Sequence, residues 1–207
     1  MKPIIILTYC LSIFSFCQSQ KLQTLYYGIS SDSLYSGHQL EFKNDTTLEI
    51  STFPRHMSRQ FIMTFNYKKS GKTIEIFNPN ISKQDSFALT NNSFKQFLNK
   101  LIFTVDGKAL IDNRNSLIYV VYNDFKRKYY LTYLIDNKIY KQETGLSDAY
   151  GIIKNNPKDN KVLQDKLASL KEGDLRNYDI KVYKGLEAYY KFGYKSVFGV
   201  IELKRRQ

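Results

Sequence analysis

The residues with the most specific chemical spacing close the stretch "NYKKSGKT", residues 66–73: Gly71, Lys72 and Thr73. They match the end of a phosphate-binding loop, in which backbone N–H groups wrap a phosphate and the lysine reaches its outer oxygens. That loop also needs a glycine where Asn66 stands. It needs a helix starting at Lys72-Thr73, because the helix N-terminus supplies the donors and the positive dipole. The residues that follow, Thr73-Ile74-Glu75-Ile76-Phe77, alternate and are partly β-branched, which predicts a strand. The segment therefore reads as a hairpin turn with Gly71 at positive φ, and no nucleotide is expected there. What remains is charge. Lys68, Lys69 and Lys72 gather at one exposed tip, a candidate contact for an anionic surface.

Two further constellations could carry chemistry. The stretch "FPRHMSRQ" sets His56 beside Arg55, Ser58 and Arg59, a combination suited to an anion-binding or catalytic corner; its plainer reading is an exposed basic connection. In the C-terminal third, Tyr178, Tyr183, Tyr189, Tyr190 and Tyr194 interleave with Lys181, Lys184, Lys191 and Lys195, ahead of Lys204-Arg205-Arg206. Rings alternating with cations can track a polyanion or a glycan. Tyrosine is also an ordinary strand residue with one wet end, and lysine solvates an outer face. The candidate binding residues are thus Lys68, Lys69, Lys72, Arg55, His56, Arg59, Tyr183, Tyr189, Tyr190, Lys191 and Tyr194.

Several chemistries find no support. His38 and His56 are the only histidines, and neither has a histidine or cysteine partner at zinc-ligand spacing. On a strand His38 would share a face with Leu40 and Phe42, as a half-buried structural residue. The stretch "DNRNSL", residues 112–117, lacks the central glycine and terminal glutamate of a calcium loop. No metal and no cofactor is expected. No G-x-S-x-G elbow occurs, so a hydrolase would depend on His56 or on carboxylates brought together by the fold.

The first 19 residues, "MKPIIILTYCLSIFSFCQS", have a basic start, an apolar run too short for a comfortable membrane span, and small residues at Cys17 and Ser19. This is the pattern of a secretory signal peptide cut after Ser19. Lipidation of Cys17 fits less well, because the bulky Phe16 precedes it. With residues 1–19 removed the mature chain would be cysteine-free, without disulfide or thiolate chemistry, and would have no transmembrane span. The whole chain carries 31 Lys and Arg against 19 Asp and Glu, a formal net charge of +12. Such a surplus favours an anionic envelope polymer, a glycan or an acidic protein as partner; export argues against nucleic acid.

The elements that must position these residues are mostly strands. Leu40, Phe42, Leu48 and Ile50 alternate about Asn44-Asp45-Thr46, and Phe61, Met63, Phe65 and Tyr67 mark the next strand. Asp106-Gly107 separates "LIFTV" from "ALI"; Asn123–Arg127 joins "SLIYVVY" to "KYYLTYLI"; Asn137-Lys138 turns into "IYKQ". A short inserted helix is predicted from Ser93, with Phe94, Phe97, Leu98 and Leu101 on one face. After a turn-rich connection, Asn156-Pro157 would open a helix ending near Gly173. "YDIKVY" then reads as a strand, "LEAYYKF" as a helix closed by Gly193 and "SVFGVIEL" as a final strand.

These elements predict an α+β fold, a mainly antiparallel β-meander forming a twisted sheet or partial barrel, followed by a helix–strand segment. In layout alone it resembles the small lipocalin-like barrels. Residues 20–145 would form the meander and 146–207 an α+β segment packed on it. The expected role is an extracytoplasmic binding or envelope-associated module. The alternatives are a hydrolase or a periplasmic inhibitor or immunity-type protein.

Overall fold

A computed structural model describes residues 22, 24–31, 38–52, 62–80, 101–127, 129–144, 158–170 and 175–206. Eight antiparallel strands follow one another in chain order: β1 (Leu25–Ser30), β2 (His38–Phe42), β3 (Thr47–Thr52), β4 (Ile62–Ser70), β5 (Thr73–Asn80), β6 (Leu101–Asp106), β7 (Ala109–Asp112) and β8 (Leu117–Val121). β8 pairs back onto β1, with Gly28 opposite Tyr119, so the meander is a closed barrel and not a partial one. The up-and-down order is lipocalin-like in layout.

Period-two alternation fixes which residues enter the barrel. Leu40, Phe42, Leu48, Ile50, Met63, Phe65, Ile74, Ile76, Leu101, Phe103 and Tyr119 converge into one buried cluster. Large rings fill its middle, and Phe103 meets Tyr119 at 5.2 Å between centroids. Gly28 makes room for Tyr119 across the β1–β8 pair, because a Cβ at position 28 would stand 2.8 Å from the ring. His38 is almost fully buried, deeper than the half-buried position expected for it.

The hairpin turns after β2, β4 and β6 lie at one end of the barrel. Ser30, His38, Thr52, Ile62 and Asp112 lie at the other. Asn44 Oδ1 accepts from the backbone N–H of Thr46 at 2.9 Å and of Thr47 at 2.8 Å, which holds the first turn as expected. Gly71-Lys72 forms a two-residue turn between Ser70 and Thr73, with Gly71 at φ 57°. No helix starts there; the nucleotide loop is excluded by geometry as well as by sequence.

A second, mixed sheet follows. The connection expected at Asn123–Arg127 is a short helix, α1 (Tyr122–Arg127), which leads into β9 (Tyr129–Ile135) and β10 (Lys138–Thr144). After α2 (Lys161–Ser169) come β11 (Tyr178–Tyr183), α3 (Gly185–Phe192), a 3₁₀ turn (Tyr194–Ser196) and β12 (Val200–Arg205). The strand order is β10-β9-β12-β11, with β12 parallel to β9. α2 covers one face with Leu163 against Ile135, Tyr178 and Leu203. α3 sits at the other face, where Ala188 packs with Tyr183 and Val200. Leu186 and Val197 meanwhile pack on Ile29, Ile111, Ile118 and Val120 of the barrel's outer wall.

Several local expectations shift. The turn at Asp106-Gly107 is Gly107-Lys108, with Asp106 paired to Ala109. The turn before β10 is Asp136-Asn137, both at positive φ, as a type I′ turn requires. α2 is capped by Asn160, whose Oδ1 accepts from Leu163 N–H at 3.0 Å, and it ends at Ser169; the Asn156 cap was one turn too early. The final strand starts only at Val200, because residues 194–196 coil into the 3₁₀ turn. Leu101 opens β6 and faces the core; the inserted helix, residues 93–100, lies outside the described residues. The expectation of a cysteine-free mature chain is also corrected. The chain contains two cysteines, Cys10 and Cys17, and both lie outside the described residues.

Candidate functional site

The second sheet presents the most organised charge among the described residues. Antiparallel pairing of β11 with β12 sets Asp179 opposite Lys204 and Lys181 opposite Glu202. The pleat turns all four to the α3 face; they line a groove of about 260 Å³ together with Arg206 and with Arg205, whose guanidinium lies towards the other face. Its two acids are already engaged. Arg206 Nε donates to Asp179 Oδ1 at 2.8 Å, and Lys191 Nζ stands 3.2 Å from Glu202 Oε2. Lys181 and Lys204 have no ion pair among the described residues.

Lys191 belongs to a compact relay at the end of the groove. α3 follows β11 after a single residue, so its last turn folds back over the strand it has just left. Lys191 Nζ donates to Tyr183 Oη at 2.6 Å and lies 4.0 Å from the centre of that ring. Tyr183 Oη in turn donates to Glu202 Oε2 at 2.8 Å. The Tyr183 hydroxyl, with Lys191 behind it, holds the Glu202 carboxyl below its usual range against the opposing effect of burial. The same tyrosine and Glu202 hold the Lys191 ammonium above its usual value. Glu202 therefore stays ionised and Lys191 stays charged, so the cluster fixes charges in place and does not shuttle protons at neutral pH. On the opposite face Arg205 stacks 5.6 Å over the Tyr178 ring.

The residues singled out from sequence separate into distinct places. Lys68, Lys69 and Lys72 stand at the turn end of the barrel. Arg55, His56 and Arg59 lie outside the described residues; the strand ends that flank them, Thr52 and Ile62, are at the opposite end. Tyr183 and Lys191 meet in the relay. The other three tyrosines spend their hydroxyls within the chain. Tyr189 donates to Asp106 Oδ2 at 2.7 Å, Tyr190 to Asn113 Oδ1 at 2.9 Å and Tyr194 to Asp124 Oδ2 at 3.2 Å. They clasp α3 and the following turn to the barrel and to α1. Burial, reinforced by the bond to Asp106, pushes the Tyr189 hydroxyl up to about 12, and Tyr194 is raised further, again mainly by burial.

Sequence reasoning saw Lys181 and Lys204–Arg206 as members of a basic stretch and missed the groove they share. The usable signal was the alternation in "YDIKVY" and "VIELKR", whose charges are complementary only in the observed antiparallel register. No group of three or more metal-ligating side chains is assembled among the described residues. No family model, no curated protein and no solved structure matches this chain.

Proposed function

We propose that this protein is an extracytoplasmic, non-enzymatic binding module that recognises an anionic glycan or envelope polymer through the β11–β12 groove. The observation that carries the reading is the division of charge there. Asp179 and Glu202 are each held in a direct ion pair, by Arg206 and Lys191, while Lys181 and Lys204 make no direct ion pair among the described residues, Lys181 adding only a longer-range attraction to Glu202; the cations of the groove outnumber its acids. A groove of this size suits one phosphate, sulfate or carboxylate group of a repeating chain better than a whole ligand. The packed barrel interior supports surface recognition over carriage of a small molecule. The pattern of residues 1–19 and the net charge of +12 support an extracytoplasmic setting with polyanions as partners.

The test is binding of the full chain to dextran sulfate at low and moderate salt. Affinity should fall steeply with salt, as screening requires. The double variant Lys181→Gln/Lys204→Gln should lose about tenfold in affinity, equivalent to about 1.4 kcal/mol. The triple variant Lys68→Gln/Lys69→Gln/Lys72→Gln should lose only about twofold, through its smaller bulk charge. No binding at low salt, or equal losses in the two variants, overturns the assignment to the groove.

A further inference from the structure

The two edges of the second sheet are treated differently. At β10 the chain covers its own edge: Asn160 Nδ2 donates to the Lys141 carbonyl at 3.1 Å, Gln142 Nε2 donates to the Lys158 carbonyl at 3.2 Å, and Lys158 N–H donates to Glu143 Oε2 at 3.1 Å. At β11 no strand or loop of the described residues pairs with the outer edge. Four consecutive residues there, Asp179 to Val182, are exposed, including Ile180 at 53% and Val182 at 67%. An exposed edge bearing two β-branched apolar residues is a template for another strand.

The direction of its backbone groups is known. Arg206 N–H donates to the Asn177 carbonyl at 2.7 Å, so Asn177 and Arg206 form a hydrogen-bonded pair. Alternation then points the N–H and C=O of residues 179, 181 and 183 inward to β12, and those of 178, 180 and 182 outward. An incoming strand must therefore bond to Tyr178, Ile180 and Val182.

We propose that the incoming strand is β11 of a second copy of this chain, paired antiparallel about Ile180. In that register Ile180 of each copy faces the other across the two-fold axis, and Val182 faces Tyr178 of the second copy. The outward-pointing residues become the hydrogen-bonded pairs that the backbone requires. Asp179 and Lys181 become the non-hydrogen-bonded pairs, whose side chains approach most closely, and each meets the opposite charge: Asp179 against Lys181 of the second copy, twice. The sequence Tyr-Asp-Ile-Lys-Val is thus self-complementary in both polarity and charge about its centre. Pairing with β12 accounts for the signs of Asp179 and Lys181 but leaves Ile180 and Val182 in water. Pairing with a second copy accounts for both. The two four-stranded sheets would become one of eight strands, with both cationic grooves on the same face.

Lys181 serves both this contact and the groove, but the test contains no polyanion, so its failure is distinguishable from a failure of anion binding. Sedimentation velocity of the full chain up to about 1 mM, the range of weak contacts, should show a reversible dimer. Asp179→Lys alone places like charges together, as does Lys181→Asp alone, and each should weaken the dimer at least about tenfold. An equimolar mixture of these two variants restores both opposite-charge pairs and should dimerise as the parent does. Ile180→Pro removes an outward N–H without touching the ladder to β12, and should abolish the dimer while circular dichroism stays unchanged. A parent that stays monomeric, a mixture that fails to recover, or an Ile180→Pro chain that still dimerises each overturns the proposal.

Discussion

The barrel and the open sheet are built from similar strands and solve opposite problems. In the barrel every strand has two neighbours, because β8 closes onto β1, and closure consumes all the edges. Its inward positions are apolar almost throughout, with His38, Asp112 and Ser30 as buried polar exceptions near one end. The open sheet has four strands, two ends and thin cover, one helix on each face. Ile139, Ile180 and Val182 remain exposed on it, as Ile62, Phe77 and Ile102 do on the barrel, so what sets the two apart is the free edge and not the exposure. Closure thus leaves the barrel without a free strand edge, whereas the open sheet keeps the outer edge of β11.

The largest expected effect breaks this comparison on the barrel side. Phe103 is fully buried between barrel walls, so Phe103→Ala should cost about 3–5 kcal/mol by urea unfolding, from lost transfer energy plus a cavity. Val182→Ala, at an exposed edge, should stay within about 0.5 kcal/mol. Comparable losses at the two sites would show that the open sheet is as tightly committed as the barrel. Next in size is the joint between them. Gly185 begins α3 at φ 58°, and a Cβ there would stand 2.8 Å from the Ser31 backbone nitrogen in the barrel. Gly185→Ala should cost about 2–3 kcal/mol, from the left-handed backbone and the clash together, and should expose α3 to limited proteolysis.

How far this was legible in the sequence follows from the range of the forces involved. The barrel's strands could be read because inward positions such as Leu40, Phe42, Leu48 and Ile50 repeat at the strand period. The helix at Leu186 and the turn at Gly71 follow from local chemistry in the same way. Closure could not be read, since it rests on Gly28 and Tyr119, which are remote in the chain and carry no mutual signal. The turn at Gly107-Lys108 slipped by one residue because Asp-Gly is favoured in the type I′ turn, whereas here Asp106 still pairs with Ala109. The groove was hidden for a related reason: the charges of Lys181 and Glu202 become a site only through the β11–β12 register. The partners of the tyrosines were hidden in the same way. Their spacing suited ligand stacking, yet Asp106, Asn113 and Asp124, scattered along the chain, hold three of their hydroxyls.

Two tyrosines sharpen the contrast at a smaller scale. Tyr119 is wholly buried in the barrel and its hydroxyl has no hydrogen-bond partner among the described residues. Burial, with the Asp112 charge nearby, raises its pKa well above the ordinary value. Tyr183 is also buried, but its hydroxyl joins Lys191 to Glu202. Tyr119→Phe should therefore stabilise the fold by about 1 kcal/mol, a rise in Tm of about 2–4 °C. Tyr183→Phe should lower stability by about 1 kcal/mol. Scanning calorimetry of both variants decides the matter, and a loss in both would mean that the Tyr119 hydroxyl is used after all.

The smallest effect concerns the clasp itself and depends on pH. Tyr189 has a folded pKa of about 12 against an ordinary 10, owing first to burial and then to its bond with Asp106. A raised folded pKa means that the native state holds the proton more tightly. Its stabilisation is complete below pH 10 and is lost as pH rises towards about 12. Solvent screens much of this stabilisation, because the bond is exposed. Tyr194 is raised further, so its anchor outlasts that of Tyr189 as pH rises, and with both weakened α3 should leave the barrel before the barrel opens. Glu202 works in the other direction: its lowered pKa stabilises at neutral pH and the contribution fades as pH falls from about 4.5, loosening the relay without touching the clasp. Tyr189→Phe should then change neutral-pH stability by less than about 0.5 kcal/mol and flatten the alkaline loss. Tyrosinate absorbance followed alongside circular dichroism checks the order of events. If ionisation and loss of barrel structure coincide in both parent and variant, the clasp is not the first contact to fail.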